Sequence, residues 1–235
     1  MAPRNPHRKD ASRVNDLTRR RVLIGLGAST LAGCTATTDG ESPSLGLSRY
    51  ASMYGPLPDE QFPIPAANLS KIDPKYYRKL VNYRGPEQPG TIIVNTAEKY
   101  LFLTLPDGKA MRYGVGIGRE GFEWGGRARI AWKRPWPTWT PPAEMIEREP
   151  ELEKYREGKE PGLDNPLGAR ALYLFEGNRD TLYRLHGTFQ EWSIGKAVSS
   201  GCVRLLNHDV IDLYERTPKN APVLVKHDGG ERVGV

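Results

Sequence analysis

One histidine and one cysteine are the residues of this sequence best suited to covalent chemistry. His186 ends a predicted strand and is followed by a glycine, and Cys202 lies sixteen residues further on. A thiol attacks a carbonyl carbon only as the thiolate, and at an ordinary pKa of about 8.5 few thiols are ionised at neutral pH. A nearby imidazole removes that proton. The pair therefore predicts acyl transfer, with Cys202 as the nucleophile and His186 as the general base.

The residues beside the cysteine favour an oxyanion site. Gly201 removes side-chain bulk, so a substrate carbonyl can approach the backbone N–H groups there. Such a donor stabilises the oxyanion by roughly 2.7–4 kcal/mol. Taken singly, each residue has an ordinary structural interpretation: Cys202 as a small buried apolar residue, His186 as a hydrogen-bonding group and Arg204 as a surface charge. Only the combination favours catalysis.

Runs rich in β-branched and aromatic residues predict the strands that hold this pair. They lie at 91–95, 100–105, 111–117, 127–133, 171–176, 181–186, 202–206 and 223–226. A helix is predicted over 209–216, and a second helical segment over 144–157 is interrupted by Pro150. Many short strands, one late helix and a long insertion predict a mostly β protein, a largely antiparallel β-sandwich or open barrel that carries its chemistry on loops.

These motifs resemble the signature of L,D-transpeptidases with a YkuD-type catalytic domain. That signature is His-Gly, a spacer, then Ser-x-Gly-Cys, Ile or Val, Arg, Met or Leu, x, Asn, x, Asp. This chain has His186-Gly187 and then Ser199-Ser200-Gly201-Cys202-Val203-Arg204-Leu205-Leu206-Asn207-His208-Asp209. Segments 139–145, 165–172 and 193–195 are also similar to the family, so the resemblance covers about 90–226. It implies the family's β-sandwich or open barrel, with a long loop-helix insertion and one short helix after the cysteine.

The resemblance also implies a role for each matching residue. Cys202 is the nucleophile, His186 is the base, and the backbone carbonyl of Gly187 orients the imidazole. The residues implied to form the oxyanion hole or to contact substrate are Ser199, Ser200, Gly201 and Arg204. Many family members have a second histidine at the position of Ser200, so no acid catalysis is implied for that position.

The implied reaction is transfer of an acyl group on peptidoglycan stem peptides. The thiol attacks the bond between the L-centre of a diamino acid and a terminal D-alanine, and an amine then accepts the acyl group. The product is a 3-3 crosslink, an exchanged D-amino acid or an anchored protein, and water as acceptor makes the enzyme an L,D-carboxypeptidase. No metal or organic cofactor is required. The alternatives are a non-catalytic cell-wall-binding lipoprotein and a metal-dependent hydrolase using His186, Cys202 and His208, although His208 is better explained by a structural role.

The positive charge of the chain is concentrated near its start. Residues 1–33 hold seven Lys or Arg and two Asp or Glu, and the remaining 27 basic and 26 acidic residues nearly cancel, which argues against a nucleic-acid partner.

Consecutive arginines before the apolar run 22–31 resemble a twin-arginine export signal, and that run is too short to span a membrane. Leu31-Ala32-Gly33-Cys34 resembles a lipobox. The alternative is an ordinary secretory leader cleaved near Ala36.

These features predict four regions. An export signal occupies 1–33 and ends at a lipidated Cys34, a tether and N-terminal extension occupies 34–89, the catalytic domain occupies 90–228, and a tail occupies 229–235. The predicted location is the periplasm or cell envelope, with contact to a membrane only through the lipid. If Cys34 is lipidated or removed, Cys202 has no disulfide partner, which agrees with a catalytic thiol.

Four tryptophans have two interpretations of equal weight. They line a groove for glycan or peptide, or they cover the core from a loop. They are Trp132, Trp136, Trp139 and Trp192.

Overall fold

A nine-stranded sheet organises the protein. The computed structural model describes residues 49–118, 124–199 and 201–227. The strands are β1 (Lys79–Asn82), β2 (Ile92–Asn95), β3 (Tyr100–Leu105), β4 (Lys109–Gly114), β5 (Ile117–Gly118), β6 (Gly126–Pro135), β7 (Arg170–Glu176), β8 (Arg179–Thr188), β9 (Ala197–Ser199), β10 (Val203–Leu206) and β11 (Pro222–Lys226). The large sheet has the order β1-β4-β3-β2-β11-β6-β7-β8-β10, and β5 pairs with β9.

Few helices accompany this sheet. Among the described residues they include α1 (Ala143–Arg148) and α2 (Asn207–Arg216), with 3-10 turns at Leu69–Lys71, Pro74–Tyr76, Pro150–Tyr155 and Glu191–Ser193. The prediction of a mostly β fold is confirmed, and most strand pairs are antiparallel. Strand β11 is parallel to β2, and β10 is parallel to β8. None of the helices in the described ranges is long and apolar enough to cross a membrane.

Each strand predicted from composition is present, all but the strand at 100–105 with shifted ends. The predicted strand at 111–117 is divided between β4 and β5, and the segment at 144–157 is divided at Pro150 into α1 and a 3-10 turn. Strands β1 and β9 were not predicted. Both are short, and β1 buries only Val81, so neither has the apolar content that marks a strand in sequence.

One face of the sheet packs beneath helix α2. Leu172 lies opposite Leu185, which lies opposite Val203, so all three side chains share a face, and each is fully buried. Val210 and Leu213 of α2 cover this face within the same apolar core. The alternate residues of β7, β8 and β10 therefore project from the opposite face.

The N-terminal extension packs against the catalytic domain. Tyr54 is 1% exposed, and its hydroxyl accepts a hydrogen bond from Arg78 N at 2.7 Å and donates to Asp209 at 3.3 Å. Glu60 binds the Arg170 guanidinium through both carboxylate oxygens, at 2.6 and 2.9 Å. The described part of this segment is thus docked, because its polar groups find partners on the sheet and on α2 and its apolar side chains, including Ile64 and Ile72, are buried in clusters with the domain. The rest of that segment, the export signal, Cys34 and the tail at 229–235 lie outside the described residues.

Candidate active site

The candidate base lies on β8, and the candidate nucleophile directly precedes the adjacent strand β10. Strand β10 runs parallel to β8, with Arg204 opposite His186. Cys202 precedes β10 by one residue, so the same register places it beside Arg184, on the face that also carries His186 and Arg204. The Sγ atom of Cys202 lies 4.0 Å from the carbonyl oxygen of Leu182, which agrees with this position. Cys202 and His186 are therefore diagonal neighbours, with Cα atoms on the order of 8 Å apart.

The imidazole of His186 is held in one tautomer. Its Nδ1 lies 2.8 Å from the carbonyl oxygen of Gly187. Because a carbonyl oxygen only accepts hydrogen bonds, Nδ1 carries the proton, and Nε2 keeps a lone pair for a proton from a neighbouring group. Burial above all, with the charges of Arg204 and Arg184, lowers the pKa of His186 to about 4, although the hydrogen bond to Gly187 acts in the opposite direction. The ring is therefore neutral at pH 7, which is the state that a general base requires.

Asn207 fixes the backbone on which this tautomer depends. Its Oδ1 accepts from the Ala169 amide at 2.9 Å, and its Nδ2 donates to the Thr188 carbonyl at 3.0 Å. The side chain is 3% exposed and lies against the α-carbon of Gly187, where a Cβ would overlap the amide oxygen. A glycine is required there, and Asn207, at the start of α2, positions the Gly187 carbonyl through the neighbouring backbone.

The turn before Cys202 is also constrained. Gly201 has φ +126°, a conformation that side-chain-bearing residues rarely adopt. The Ser199 hydroxyl donates to the Cys202 carbonyl at 2.7 Å and so ties the two ends of the turn together. Ser200, predicted from the motif, lies outside the described residues.

The thiol of Cys202 is neutral before substrate arrives. Desolvation raises its pKa, and the Arg184 backbone N–H and the charges of Arg184 and Arg204 oppose that rise only in part. The lowered pKa of His186 acts in the same direction, against proton transfer at rest. The pair is therefore a thiol and a neutral imidazole in the absence of substrate.

Arg184 is the site residue that the sequence analysis missed. Its guanidinium binds both oxygens of Asp180, at 2.7 and 2.8 Å, and lies 4.4 Å from the centre of the Tyr173 ring. Arg184 precedes His186 by two residues in a strand, and residues at this spacing lie on the same face. This spacing was the signal from which Arg184 could have been predicted. Arg204, which the sequence did predict, donates to the side-chain oxygen of Gln190 at 2.9 Å.

The other candidates separate into structural and exposed residues. His208 Nε2 lies 2.7 Å from the Gly55 carbonyl, so this histidine contacts the N-terminal extension. No three His, Cys, Asp or Glu side chains cluster as a metal site in the part of the chain that the structure describes.

The four tryptophans differ in exposure. Trp136 is 5% exposed and packs on Phe62, and Trp139 contacts Tyr155. Trp132 and Trp192 are 50% and 44% exposed.

The lowered pKa of His186 predicts a loss of stability in acid. An unfolded histidine binds a proton below pH 6.5, whereas the folded ring resists protonation down to about pH 4. The free energy of unfolding of the wild type, relative to His186→Gln, should be constant above pH 7 and fall by about 3 kcal/mol by pH 4. Denaturant titrations of both proteins over this range measure the difference, in which other titrating groups such as Asp209 cancel. A difference independent of pH would contradict a buried, neutral His186.

Comparison with known families identifies the family to which the domain that carries this site belongs. Residues 89–225 match the model of the YkuD family, described as the L,D-transpeptidase catalytic domain. The chain belongs to this family. The match covers both strands of the candidate site and the helix that follows them.

The relatives of this L,D-transpeptidase family chain include two from Escherichia coli. The probable L,D-transpeptidase YbiS is 36% identical over 140 residues, 54% of this chain and 41% of the relative. The probable L,D-transpeptidase ErfK/SrfK is 34% identical over 140 residues, 57% of this chain and 43% of the relative. The chain thus matches about two fifths of the length of these curated relatives.

A solved structure from Brucella melitensis, described as a probable carnitine operon oxidoreductase, is 43% identical. It covers 72% of this chain and 98% of its own, with a TM-score of 0.47. An L,D-transpeptidase structure from Mycobacterium tuberculosis is 13% identical, covers 58% of this chain and 57% of its own, and has a TM-score of 0.42. At these TM-scores the family assignment rests on the sequence match.

Proposed function

We propose that the chain is a peptidoglycan L,D-transpeptidase, a cysteine acyltransferase with Cys202 as nucleophile and His186 as general base. The observation that carries this proposal is the imidazole of His186 on the strand beside Cys202, with Nδ1 held on the Gly187 carbonyl so that Nε2 carries the basic lone pair. Membership of the L,D-transpeptidase family supports the substrate class, a peptide stem that ends in D-alanine.

The first half of the reaction forms a thioester. The sulfur of Cys202 attacks the carbonyl carbon between the L-centre of the diamino acid and D-alanine, and its proton passes to Nε2 of His186. The oxyanion is stabilised by backbone N–H groups around Gly201 and Cys202. As the tetrahedral intermediate collapses, the C–N bond breaks, the imidazolium returns the proton to the amine, and D-alanine leaves.

The second half transfers the acyl group. An acceptor amine attacks the thioester carbon and gives a proton to His186, and collapse releases the Cys202 thiolate, which takes that proton back. A second stem as acceptor gives a 3-3 crosslink, a free D-amino acid gives an exchanged residue, and a protein amine gives an anchored protein. Water as acceptor gives an L,D-carboxypeptidase. Neither half requires a metal or an organic cofactor.

The remaining motif residues have supporting roles in this proposal. The hydroxyl of Ser199 holds the turn closed, and Gly201 supplies the positive-φ conformation of the turn that carries the amides of the oxyanion site. Arg204 lies opposite His186 and supplies positive charge where a substrate carboxylate arrives. Ser200 completes the predicted substrate contacts from a position outside the described residues.

The proposal places the enzyme in the periplasm or cell envelope. The arginines and apolar run within residues 1–33 support export through the twin-arginine route, and the lipobox-like segment before Cys34 supports a lipid anchor. Its partners are peptidoglycan stem peptides, with a membrane contacted only through the lipid.

A carbapenem tests the nucleophile directly. Its strained amide carbonyl acylates a reactive thiol, so incubation should increase the mass of the intact protein by one carbapenem. Peptide mapping should place the adduct on Cys202. The rate of adduct formation also depends on the imidazole that removes the thiol proton. His186→Gln should therefore slow adduct formation by about 10²–10⁴-fold.

Muropeptide analysis distinguishes the possible outcomes of the reaction. Cells with active protein should contain 3-3 crosslinks, exchanged stems or stem-linked protein that cells without it lack, and tripeptide stems alone would indicate the carboxypeptidase. Protein that neither forms the adduct nor changes any muropeptide would be the non-catalytic wall-binding protein. Activity lost with a chelator and restored with zinc would indicate the metal-dependent hydrolase instead.

A further inference from the structure

A row of side chains crosses the outer face of the sheet from Cys202 to Trp132. Trp132 on β6 lies opposite Tyr173 on β7, and Tyr173 lies opposite Arg184 on β8. Arg184 is in turn the neighbour of Cys202 in the β8–β10 register. Opposed residues on adjacent strands share a face, so the four positions form one line across the strands on the face away from α2.

Trp132 forms the open end of this row. Its side chain is 50% exposed, which is unusual for so large an apolar ring in a strand. It borders a surface cavity of about 260 Å³, somewhat smaller than the roughly 300–1,000 Å³ of pockets for drug-sized ligands. The volume suits a single sugar ring. The lining residues are Arg129, Ala131, Trp132, Phe175, Asn178 and Lys219.

The cavity has positive charge as well as an aromatic surface. Lys219 Nζ lies 5.2 Å from the centre of the Trp132 ring. Arg129 donates to neutral oxygens, the side chain of Asn220 at 2.8 Å and the Gly177 carbonyl at 3.0 Å. Neither cation forms an ion pair with a residue in the described ranges. An occupant that combines an apolar ring face with nearby carboxylates is complementary to this surface.

The distance between Trp132 and Cys202 matches the length of the stem in the proposed substrate. Three strand spacings of about 4.8 Å separate the backbones at Trp132 and Cys202 by about 14 Å. A stem bound with its third carbonyl at Cys202 extends back over three residues, which reach about 10 Å when extended. The acid that joins the stem to its amino sugar adds a few ångströms. The sugar therefore reaches Trp132, with the stem lying over the half-buried Arg184 and Tyr173.

We propose that Trp132 and its cavity form a saccharide subsite, in which the indole stacks on the amino sugar that carries the donor stem and Lys219 and Arg129 attract the acidic stem. This inference rests on the proposed function and specifies its substrate: the enzyme recognises a glycan-linked stem rather than a free peptide. An exposed indole and nearby amide and cationic donors suit a pyranose, which has one apolar face and a hydroxylated edge.

The test compares two donors with the same tetrapeptide, of which one carries the disaccharide and its linking acid and the other has a free amino terminus. Wild-type protein should use a disaccharide-tetrapeptide with a lower KM than the free tetrapeptide of the same sequence. Trp132→Ala should lower kcat/KM for the disaccharide-tetrapeptide about three- to tenfold, mainly through KM, and leave the free tetrapeptide unaffected. Trp132→Phe should retain part of the preference, and Lys219→Gln should reduce it less than Trp132→Ala does.

Leu80→Ala is the matched control. Leu80 is an exposed apolar residue, 45% accessible, on the edge strand β1 at the opposite end of the sheet. This variant should treat both donors as the wild type does. Unchanged turnover of the free tetrapeptide by Trp132→Ala also shows that the variant is folded.

The two proposals fail in different ways. Wild-type protein that processes neither donor would overturn the proposed function and the subsite with it. Wild-type protein that processes both donors equally well would overturn the subsite alone, as would a Trp132→Ala variant in which both donors lose the same factor. A loss confined to the disaccharide donor supports the subsite.

Discussion

Replacing Cys202 with alanine should lower turnover by at least about 10³-fold while the protein stays folded. The sulfur is the atom that forms the thioester in the proposed mechanism, and removal of a nucleophile costs several orders of magnitude in related covalent mechanisms. Cys202 is only partly buried, whereas the core beneath it is formed by Val203 and Leu205, so the fold does not depend on the thiol. Release of D-alanine from a disaccharide-tetrapeptide measures the loss, and circular dichroism shows that the variant is folded.

Cys202→Ser is the informative companion variant. It keeps a nucleophilic atom of similar size but with a much higher pKa, so His186 must remove a less acidic proton. We expect Cys202→Ala to form no carbapenem adduct, and Cys202→Ser to form the adduct and to release D-alanine only slowly. Unaltered D-alanine release by Cys202→Ala would remove this thiol from the reaction and redirect attention to the metal-dependent alternative.

Most strands of the sheet could be predicted from the sequence because local patterns specify them. The β2–β3 and β7–β8 hairpins are short apolar runs separated by turns, and both are visible as composition. The pairing of His186 with Cys202 could be predicted because each residue lies in a recognisable motif and the spacing of the two motifs matches the family signature. The physical reason for the pairing, a parallel contact between β8 and β10, depends on contacts that no local pattern encodes.

The row leading to Trp132 shows why other parts could not be predicted. The β6–β7 register shifts by one residue between Ile130 and Trp132. In a regular strand these two residues would share a face, and Trp132 would point into the core with Ile130. The irregularity moves it to the outer face, where Tyr173 and Arg184 continue the row. An irregularity of one residue has no clear sequence signal, so the four tryptophans could not be separated in advance.

The docking of residues 49–60 was not predicted, for a different reason. The contacts of the N-terminal extension join residues far apart in sequence, both polar pairs such as Glu60 with Arg170 and apolar clusters such as Ile64 with Trp136. A segment rich in Ser, Gly and Pro lacks the periodic apolar pattern that predicts burial. Here the catalytic domain supplies the missing partners, so composition alone described the segment as a tether.

Replacing Gly187 with alanine should impair both folding and turnover. A Cβ at this position overlaps the side-chain oxygen of Asn207, which hydrogen bonds to Ala169 and Thr188 hold in place. Relief of the overlap requires the backbone to move, at a cost of about 1–3 kcal/mol in unfolding free energy. The same movement displaces the carbonyl that orients His186, and a misplacement of about 1 Å lowers kcat by about 10²-fold. Denaturant titration and steady-state kinetics on one preparation measure both effects.

Two further variants separate this steric effect from the general cost of replacing a glycine. Gly162→Ala places a methyl group near only a flexible carboxylate, at 3.4 Å, and should leave kcat unchanged. In an Asn207→Ala background the overlapping oxygen is gone, so Gly187→Ala should cause a smaller additional loss than it does in the wild type. Strictly additive effects of the two substitutions would contradict the view that Asn207 positions the Gly187 carbonyl, because they would show that the two residues act on the imidazole independently.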